Sequence, residues 1–515
     1  MKNLPLKLTL ITLAFIGLTA AAPARAQQVF RDINEVWGPR YQRAPLPPVP
    51  AKHIPPSGDA AGRIRHWNEV AINASGLDHT PVAPGENRVF GEQFGPTRAS
   101  RAIAIVHIAV FEAVNACDGR YEDYTKMHPA HKDASMEAAI AQAAHDTLVA
   151  LFPSQKPDCD QKLADDLSHM SGDKRSIGDG IDVGREAAAA ILKLREKDGS
   201  QKAEPRIGIE FITSNAPGKW RQDPISQLPI ALGAYWGDVQ PFVLHSSRQF
   251  RAPRPPALNS AEYATAYNEE KTLGGDGVTT PTTRTADQTQ TGIYWAYDGT
   301  PSLCAPSRLY NQLAMHIADQ MGTSSNPAEL ARYLALLNVA LADACITVWE
   351  SKYFYQYWRP VTGIRESDPG TGPTGAGDGN SATSGDVNFS PLGAPASNLN
   401  GPNFTPPFPS YPSGHGGFGG ALFQMLRNFY GTDNISFTFT SDEFNGVTHD
   451  NAGNVRPLLP RSFSSLSQAE EENGQSRIYL GIHWKFDKTE AIAQGRRVAD
   501  YVFANAFMPV KKPKK

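Results

Sequence analysis

The chain has 515 residues, 40% of them hydrophobic and 20% charged, which is enough apolar material for a large core and for more than one domain. Its formal net charge of −3 excludes an overall basic field of the kind that draws nucleic acid or an anionic membrane surface. An anion site must therefore come from local clustering of cations.

Residues 1–26 read as a signal peptide. Lys2 and Lys7 precede or open an apolar run that reaches Ala22, and Ala24-Arg25-Ala26 is a small-x-small cleavage pattern before Gln27. The run is shorter than the ~20 residues that span a bilayer, and no later segment reads as a span. The expected product is periplasmic or secreted, with no transmembrane anchor. Cys117, Cys159, Cys304 and Cys345 lack a CxxC spacing. In an exported chain they pair as Cys117–Cys159 and Cys304–Cys345, the preferred pairing, or stay as four buried thiols.

Residues 27–98 are rich in Pro and Gly and are expected to wrap over the core without sustained helix. Helices are predicted from about Thr97. Ile103, Val106, Val110 and Val114 fall on one face, and the Ala-rich stretches 136–151 and 184–196 repeat the pattern. His107 and His145 read as hydrogen-bonded structural histidines within them. Residues 204–306 are mixed, with loops and room for a hairpin; 99–306 is expected to form an N-terminal helical half.

The C-terminal half, 307–510, contains the clearest helix, predicted over 326–358. Asn326 caps it, Pro327 takes its first position, Glu329 completes an N-x-x-E pattern, and Pro360 ends it. Leu330, Leu334, Leu337, Leu341 and Val348 mark its buried stripe. Residues 367–407 form a Gly-, Ser-, Pro- and Asn-rich insertion that reads as an active-site loop. Helices return at 415–430, around 466–483 and at 488–506, before a solvated basic tail, 511–515. The predicted fold class is all-α: helical bundles with long loops and few or no strands.

Three constellations carry chemistry. Lys352 and Arg359-Pro360 are written K-x6-R-P among Trp349, Tyr353, Phe354, Tyr355, Tyr357 and Trp358, too aromatic a setting for a wet surface. Seven residues are two helical turns, so both cations are expected on one helix face, ~10 Å apart along its axis. Lysine offers a point charge and arginine a planar fork that matches two oxygens. Next, Pro412-Ser413-Gly414-His415 opens a glycine-rich helix start, where N–H groups and the helix dipole favour an anion. Ser413 adds a hydroxyl there and His415 an acid-base group. The third stretch holds Ser476-Arg477, His483 and Asp487: a second guanidinium, an imidazole for the central atom of the anion, and a carboxylate to orient that imidazole. Asp487 and Glu490 also read as a D-x-x-E capping box for the last helix.

Together, K-x6-RP, PSGH and SR-x5-H-x3-D resemble the three-part signature of the superfamily that contains the vanadium haloperoxidases and the type-2 phosphatidic-acid phosphatases. The signature spans 352–487, and a weaker resemblance to vanadium chloroperoxidase-like proteins runs from about residue 98. The resemblance implies two four-helix bundles with vanadate, or phosphate, at the end of one. Lys352, Arg359, Ser413, Gly414, His415 and Arg477 would line the oxyanion, with His483 the axial ligand to the metal and His415 the acid-base residue. Hydrogen peroxide, a halide and a small organic molecule would be the reactants, with Lys352 polarising the peroxide. Phe408 and Trp349 resemble pocket residues of chloroperoxidases, and Asp298 is read as a partner for an arginine. Two other functions fit the same residues: an acid phosphatase working through a phospho-histidine at His483, and a non-catalytic oxyanion-binding protein. Chain length and the lack of spanning helices favour the haloperoxidase.

Overall fold

The structure, a computed structural model, describes residues 30, 33–43, 58–394, 399–450 and 452–510; the signal-like segment 1–26 and the tail 511–515 lie outside them. A helical turn, α1 (Asn34–Trp37), and β1 (Gln42–Arg43) lead into α2 (Ala60–Asp78), α3 (Gly95–Asp118), α4 (Met136–Leu151), α5 (Lys156–Ser168) and α6 (Lys174–Arg195). After α7 (Ala261–Leu273) and α8 (Ala286–Tyr294) come α9 (Pro306–Gln320), α10 (Pro327–Tyr355) and α11 (Pro360–Arg365). Beyond the insertion, which holds β2 (Leu399–Asn400), follow α12 (Gly414–Tyr430), β3 (Phe437–Phe439), β4 (Arg461–Phe463), α13 (Leu466–Tyr479) and α14 (Lys485–Asn505). Sheet among the described residues is limited to the antiparallel pairs β1–β2 and β3–β4, so the fold is all-α.

Helix α10 organises the molecule. It is apolar on every side and buried along nearly its whole length from Ala328 to Lys352, as a helix without a polar face must be. It packs on α3 of the first group of helices and on α12 and α14 of the second. Asn326 caps it by accepting from the Glu329 N–H, and Pro327 holds the first turn. Both α3 and α10 are long and apolar enough to pass for membrane spans, contrary to the expectation that no later segment would. Their most apolar stretches are 89% and 94% buried inside the protein, so they form the centre of the core.

The structure corrects several expectations. The wrap at 27–98 contains α2, whose 3.6-residue pattern is masked because its buried face is partly polar: Arg63 pairs with Asp166 at 2.9 Å and Trp67 Nε1 donates to the same carboxylate. Residues 204–306 hold two helices and, among the described residues, no hairpin. All four cysteines are free thiols. Cys304 lies 3.0 Å from the Ser75 hydroxyl, while Cys345 faces the Pro96 carbonyl from inside α10; different neighbours hold them apart. His107 and His145 are hydrogen-bonded, to Asn68 and to Asp146 and Asp160 respectively.

The closest helix crossing lies beneath the site. A Cβ at Gly420 would meet the Ile492 carbonyl oxygen at 2.4 Å, and one at Gly495 would meet the Gly417 oxygen at 2.1 Å, so α12 and α14 touch backbone to backbone. Gly420→Ala is expected to destabilise the fold by about 1–3 kcal/mol, because a backbone oxygen cannot swing aside as a side chain can. A lower urea midpoint at unchanged slope would show this; an unchanged midpoint would count against so tight a crossing.

Candidate functional site

The site forms where the C-terminal end of α10, the start of α11, the N-terminus of α12 and the α13–α14 connection converge. α10 stops at Tyr355 because Gln356 turns left-handed, φ 52°, returning its N–H to Lys352 O. Arg359 therefore stands at the N-cap of α11, and the two cations do not share one helix face as their spacing predicts. A chain reversal brings them together instead. The ring of Phe408 lies 5.1 Å from both Lys352 Nζ and Arg359 Cζ, within the range of cation–π attraction.

Each cation is held differently. Lys352 Nζ donates to the carbonyls of Pro409, Ser410 and Pro412 at 2.9, 2.8 and 2.5 Å. All three of its donors are thus engaged, and it pins the loop before Ser413. Its expected role as a donor to anion oxygens is not what this geometry displays; it supplies charge. Arg359 donates through Nε to Phe408 O at 3.0 Å and through Nη1 to Ile482 O at 2.8 Å and His483 Nε2 at 3.1 Å. Arg477 clasps Asp298 through Nη2 at 2.7 and 2.8 Å. Arg359 Nη2 and Arg477 Nε and Nη1 are buried without a partner among the described residues.

The histidines are set by their neighbours. His483 Nδ1 lies 2.8 Å from Asp487 Oδ2, and because a guanidinium only donates, Nε2 must accept from Arg359. The ring is therefore neutral, with its proton on Nδ1 and its lone pair on Nε2. Asp487 also accepts from the Trp484 N–H at 3.1 Å and from the Ser410 hydroxyl. It caps α14 from inside the first turn, not as the N-cap residue of a box with Glu490. His415 Nε2 donates to Ala296 O at 2.6 Å, leaving Nδ1 as the nitrogen able to accept a proton; Asp298 lies 3.9 Å away. Tyr310 and Asn473 hold the His415 carbonyl at 3.3 and 3.0 Å.

Ser413 caps α12, accepting from the Gly416 N–H at 3.2 Å, and its own N–H joins the Asp487 carbonyl at 3.0 Å. Gly414 has no room for a side chain, since a Cβ would come within 3.2 Å of the Trp349 ring. His415, Gly414, Arg477, His483 and Phe408 all line a cavity of about 40 Å³. A larger cavity of about 820 Å³, bordered by Arg65, Asp158 and Arg308, holds none of the motif residues.

Burial in a cationic setting shifts Lys352, Arg359, the two histidines and the two carboxyls. Desolvation, then Arg359, holds the Lys352 ammonium well below its ordinary value; desolvation brings Arg359 down to about 9. The imidazoles of His415 and His483 are lowered by burial first, then by Arg477 and Arg359 respectively. Asp487 is pushed up to about 7, and Asp298 is also raised, both by burial. Three cations face two carboxyls, and the unpaired guanidinium N–H groups are donors that an anion's oxygens could satisfy.

Ser410, Tyr310 and Asn473 escaped the reading of the sequence. Ser410 had one available signal: it stands three residues before Ser413 in a Pro-rich loop that must turn sharply. Tyr310 and Asn473 had none, because they act through a backbone carbonyl.

Fold and site define an all-α protein with a buried cationic pocket at the end of a helical bundle. Residues 332–512 match the family model for the second helical-bundle domain of VCPO. The chain is 30% identical over 524 residues to the vanadium chloroperoxidase of Curvularia inaequalis, an alignment covering 86% of this chain and 82% of that protein. It belongs to the vanadium haloperoxidase family. Two solved structures share the fold. The first bacterial vanadium-dependent iodoperoxidase has a TM-score of 0.69 at 23% identity over 90% of this chain and 100% of that one. A holo-type bacterial vanadium-dependent chloroperoxidase has a TM-score of 0.59 at 16% identity, covering 84% and 94%.

A pH experiment tests the electrostatics. An anion binds the protonated forms of Lys352 and Asp487 best, so binding takes up protons and affinity falls as pH rises. Sulfate keeps one charge throughout the range. Its affinity by isothermal titration is expected to drop between pH 6 and pH 9; a flat profile would contradict the assignment.

Proposed function

We propose that this chain is a vanadium-dependent haloperoxidase that oxidises a halide with hydrogen peroxide to hypohalous acid. The observation that carries the reading is the set of unpaired N–H donors on Arg359 and Arg477, buried in a pocket with Lys352 and facing the His483–Asp487 pair. Buried donors without partners cost stability, and an oxyanion such as vanadate satisfies them. The donor set fits vanadate in kind: N–H and O–H groups for its oxygens and one imidazole for the metal, with no thiolate or carboxylate cluster needed.

Arg359, Arg477, Ser413 and the α12 N-terminus at Gly414 would hold the oxygens, and His483 Nε2 would ligate the metal in place of its present contact with Arg359. When bound, vanadate supplies the Lewis-acidic centre that activates hydrogen peroxide toward attack by halide. Asp487 keeps the His483 lone pair on Nε2 throughout, and Lys352 adds positive charge where the leaving oxygen becomes negative. Forming hypohalous acid and water from peroxide and halide consumes one proton. His415 delivers it through Nδ1, its low basicity making it a ready donor once charged. A cavity of about 40 Å³ is far below the ~300 Å³ that an organic ligand fills, so the organic substrate meets the hypohalous acid outside. The signal-like N-terminus makes the site of action periplasmic or extracellular.

Orthovanadate-loaded protein, assayed with peroxide and bromide beside phosphate-ester hydrolysis without vanadium, tests this. Bromination that depends on vanadate is expected, with His483→Ala lowering it by at least a hundredfold, the upper end of the ~10–100-fold losses typical of perturbed metal sites. Ester hydrolysis that vanadate inhibits would instead mark an acid phosphatase; oxyanion binding with neither reaction would mark a non-catalytic protein.

A further inference from the structure

The small cavity that Gly414, His415, Arg477 and His483 line has a further wall that none of the three motifs supplies. The N-terminal segment contributes Val36 and Trp37 to it, beside Phe94, Phe404, Phe408 and Leu232. Trp37 is 3% exposed. Its ring stands edge-on to Phe404 at 4.9 Å and to Phe94 at 6.3 Å, and Tyr41 fastens the segment by donating to Pro402 O at 2.6 Å.

Two indoles face this cavity, and they differ in one respect. Trp349 Nε1 donates to Leu232 O at 3.1 Å and is spent. Trp37 Nε1 is buried with no hydrogen-bond partner among the described residues. Leaving such a donor dry costs stability, and the carboxylate that lines the same cavity, Asp298, is taken up by Arg477. The lining is rich in aromatic rings, whose polarisable bodies and positive edges suit a large, weakly hydrated monoanion better than a hydrated dianion. Lys352 spends its three donors on carbonyls, and the free guanidinium groups belong to the oxyanion. Among the described side-chain donors that line the cavity, the Trp37 N–H is the one left to a second, monovalent anion.

We propose that the indole N–H of Trp37 binds the halide, so that the N-terminal segment, and not the motif-bearing half of the chain, supplies a specificity-determining residue. This rests on the haloperoxidase reading. Held there, the ion shares with the oxyanion site a small cavity that excludes an organic molecule.

Two measurements test it. In crystals of the vanadate-loaded full-length protein soaked in bromide, anomalous scattering is expected to place bromide within hydrogen-bonding reach of Trp37 Nε1. Bromide absent from the cavity, or seated there away from Trp37, overturns the assignment. In solution, Trp37→Phe keeps the ring and removes the donor. It is expected to raise the KM for bromide about tenfold or more, as for a lost hydrogen bond to an ion, with kcat and the KM for peroxide unchanged. An unchanged bromide KM in a folded variant, judged by its melting curve, also overturns it. Should the variant fail to fold, the bromide position decides. Should the parent protein oxidise no halide, the functional reading fails, while the crystal experiment still decides whether Trp37 is an anion donor.

Discussion

Three cations are buried close together around Phe408 and His483, and the surrounding structure is built to hold them there. Taking an ion out of water costs several kcal/mol even after the protein relaxes, and Lys352, Arg359 and Arg477 are each essentially inaccessible. Three different devices offset that cost. Carbonyls of the 409–412 loop cage the ammonium, the ring of Phe408 and two carbonyls support Arg359, and Asp298 pairs with Arg477. What these devices leave over is three unpaired guanidinium nitrogens, among the described residues, and an excess of positive charge.

The fold supplies the rigidity that such a pocket needs. Helix α10 delivers Lys352 at its C-terminal end, where the macrodipole favours a cation, and α12 presents its N-terminus, where the dipole favours an anion. The glycines of α12 let α14 approach backbone to backbone, and the Ser413 N–H joins the Asp487 carbonyl across that crossing. The oxyanion cradle and the His483–Asp487 pair are therefore fixed relative to each other by main chain. One carboxylate, Asp487, serves α14 as a cap and His483 as the holder of its tautomer, which ties catalytic geometry to helix formation.

Much of this was legible from residue type and spacing. The α10 start followed from Asn326, Pro327 and Glu329, and every motif residue lies at or beside the pocket. What escaped has physical reasons. The K-x6-R spacing implied one continuous helix, but Gln356 adopts a left-handed conformation that no local signal marks, so the convergence of Lys352 and Arg359 was anticipated by the wrong route. α2 was hidden by buried Arg63, His66 and Asn68, polar residues that break an apolar periodicity yet are satisfied in the core. α8 was overlooked although Thr285 and Gln288 spell a capping box that the structure forms. The role of Trp37 was invisible, since nothing in a Pro-rich N-terminal stretch indicates which wall it will build.

The central claim is that Arg359, Arg477, the α12 N-terminus and His483 close around one tetrahedral anion. A crystal structure of the protein grown with orthovanadate tests it most directly. The account predicts density for the anion with its central atom bonded to His483 Nε2 and its oxygens within hydrogen-bonding distance of Arg359 Nη2 and Arg477. Vanadate bound elsewhere, or these two guanidinium groups still unpaired beside it, would contradict the account.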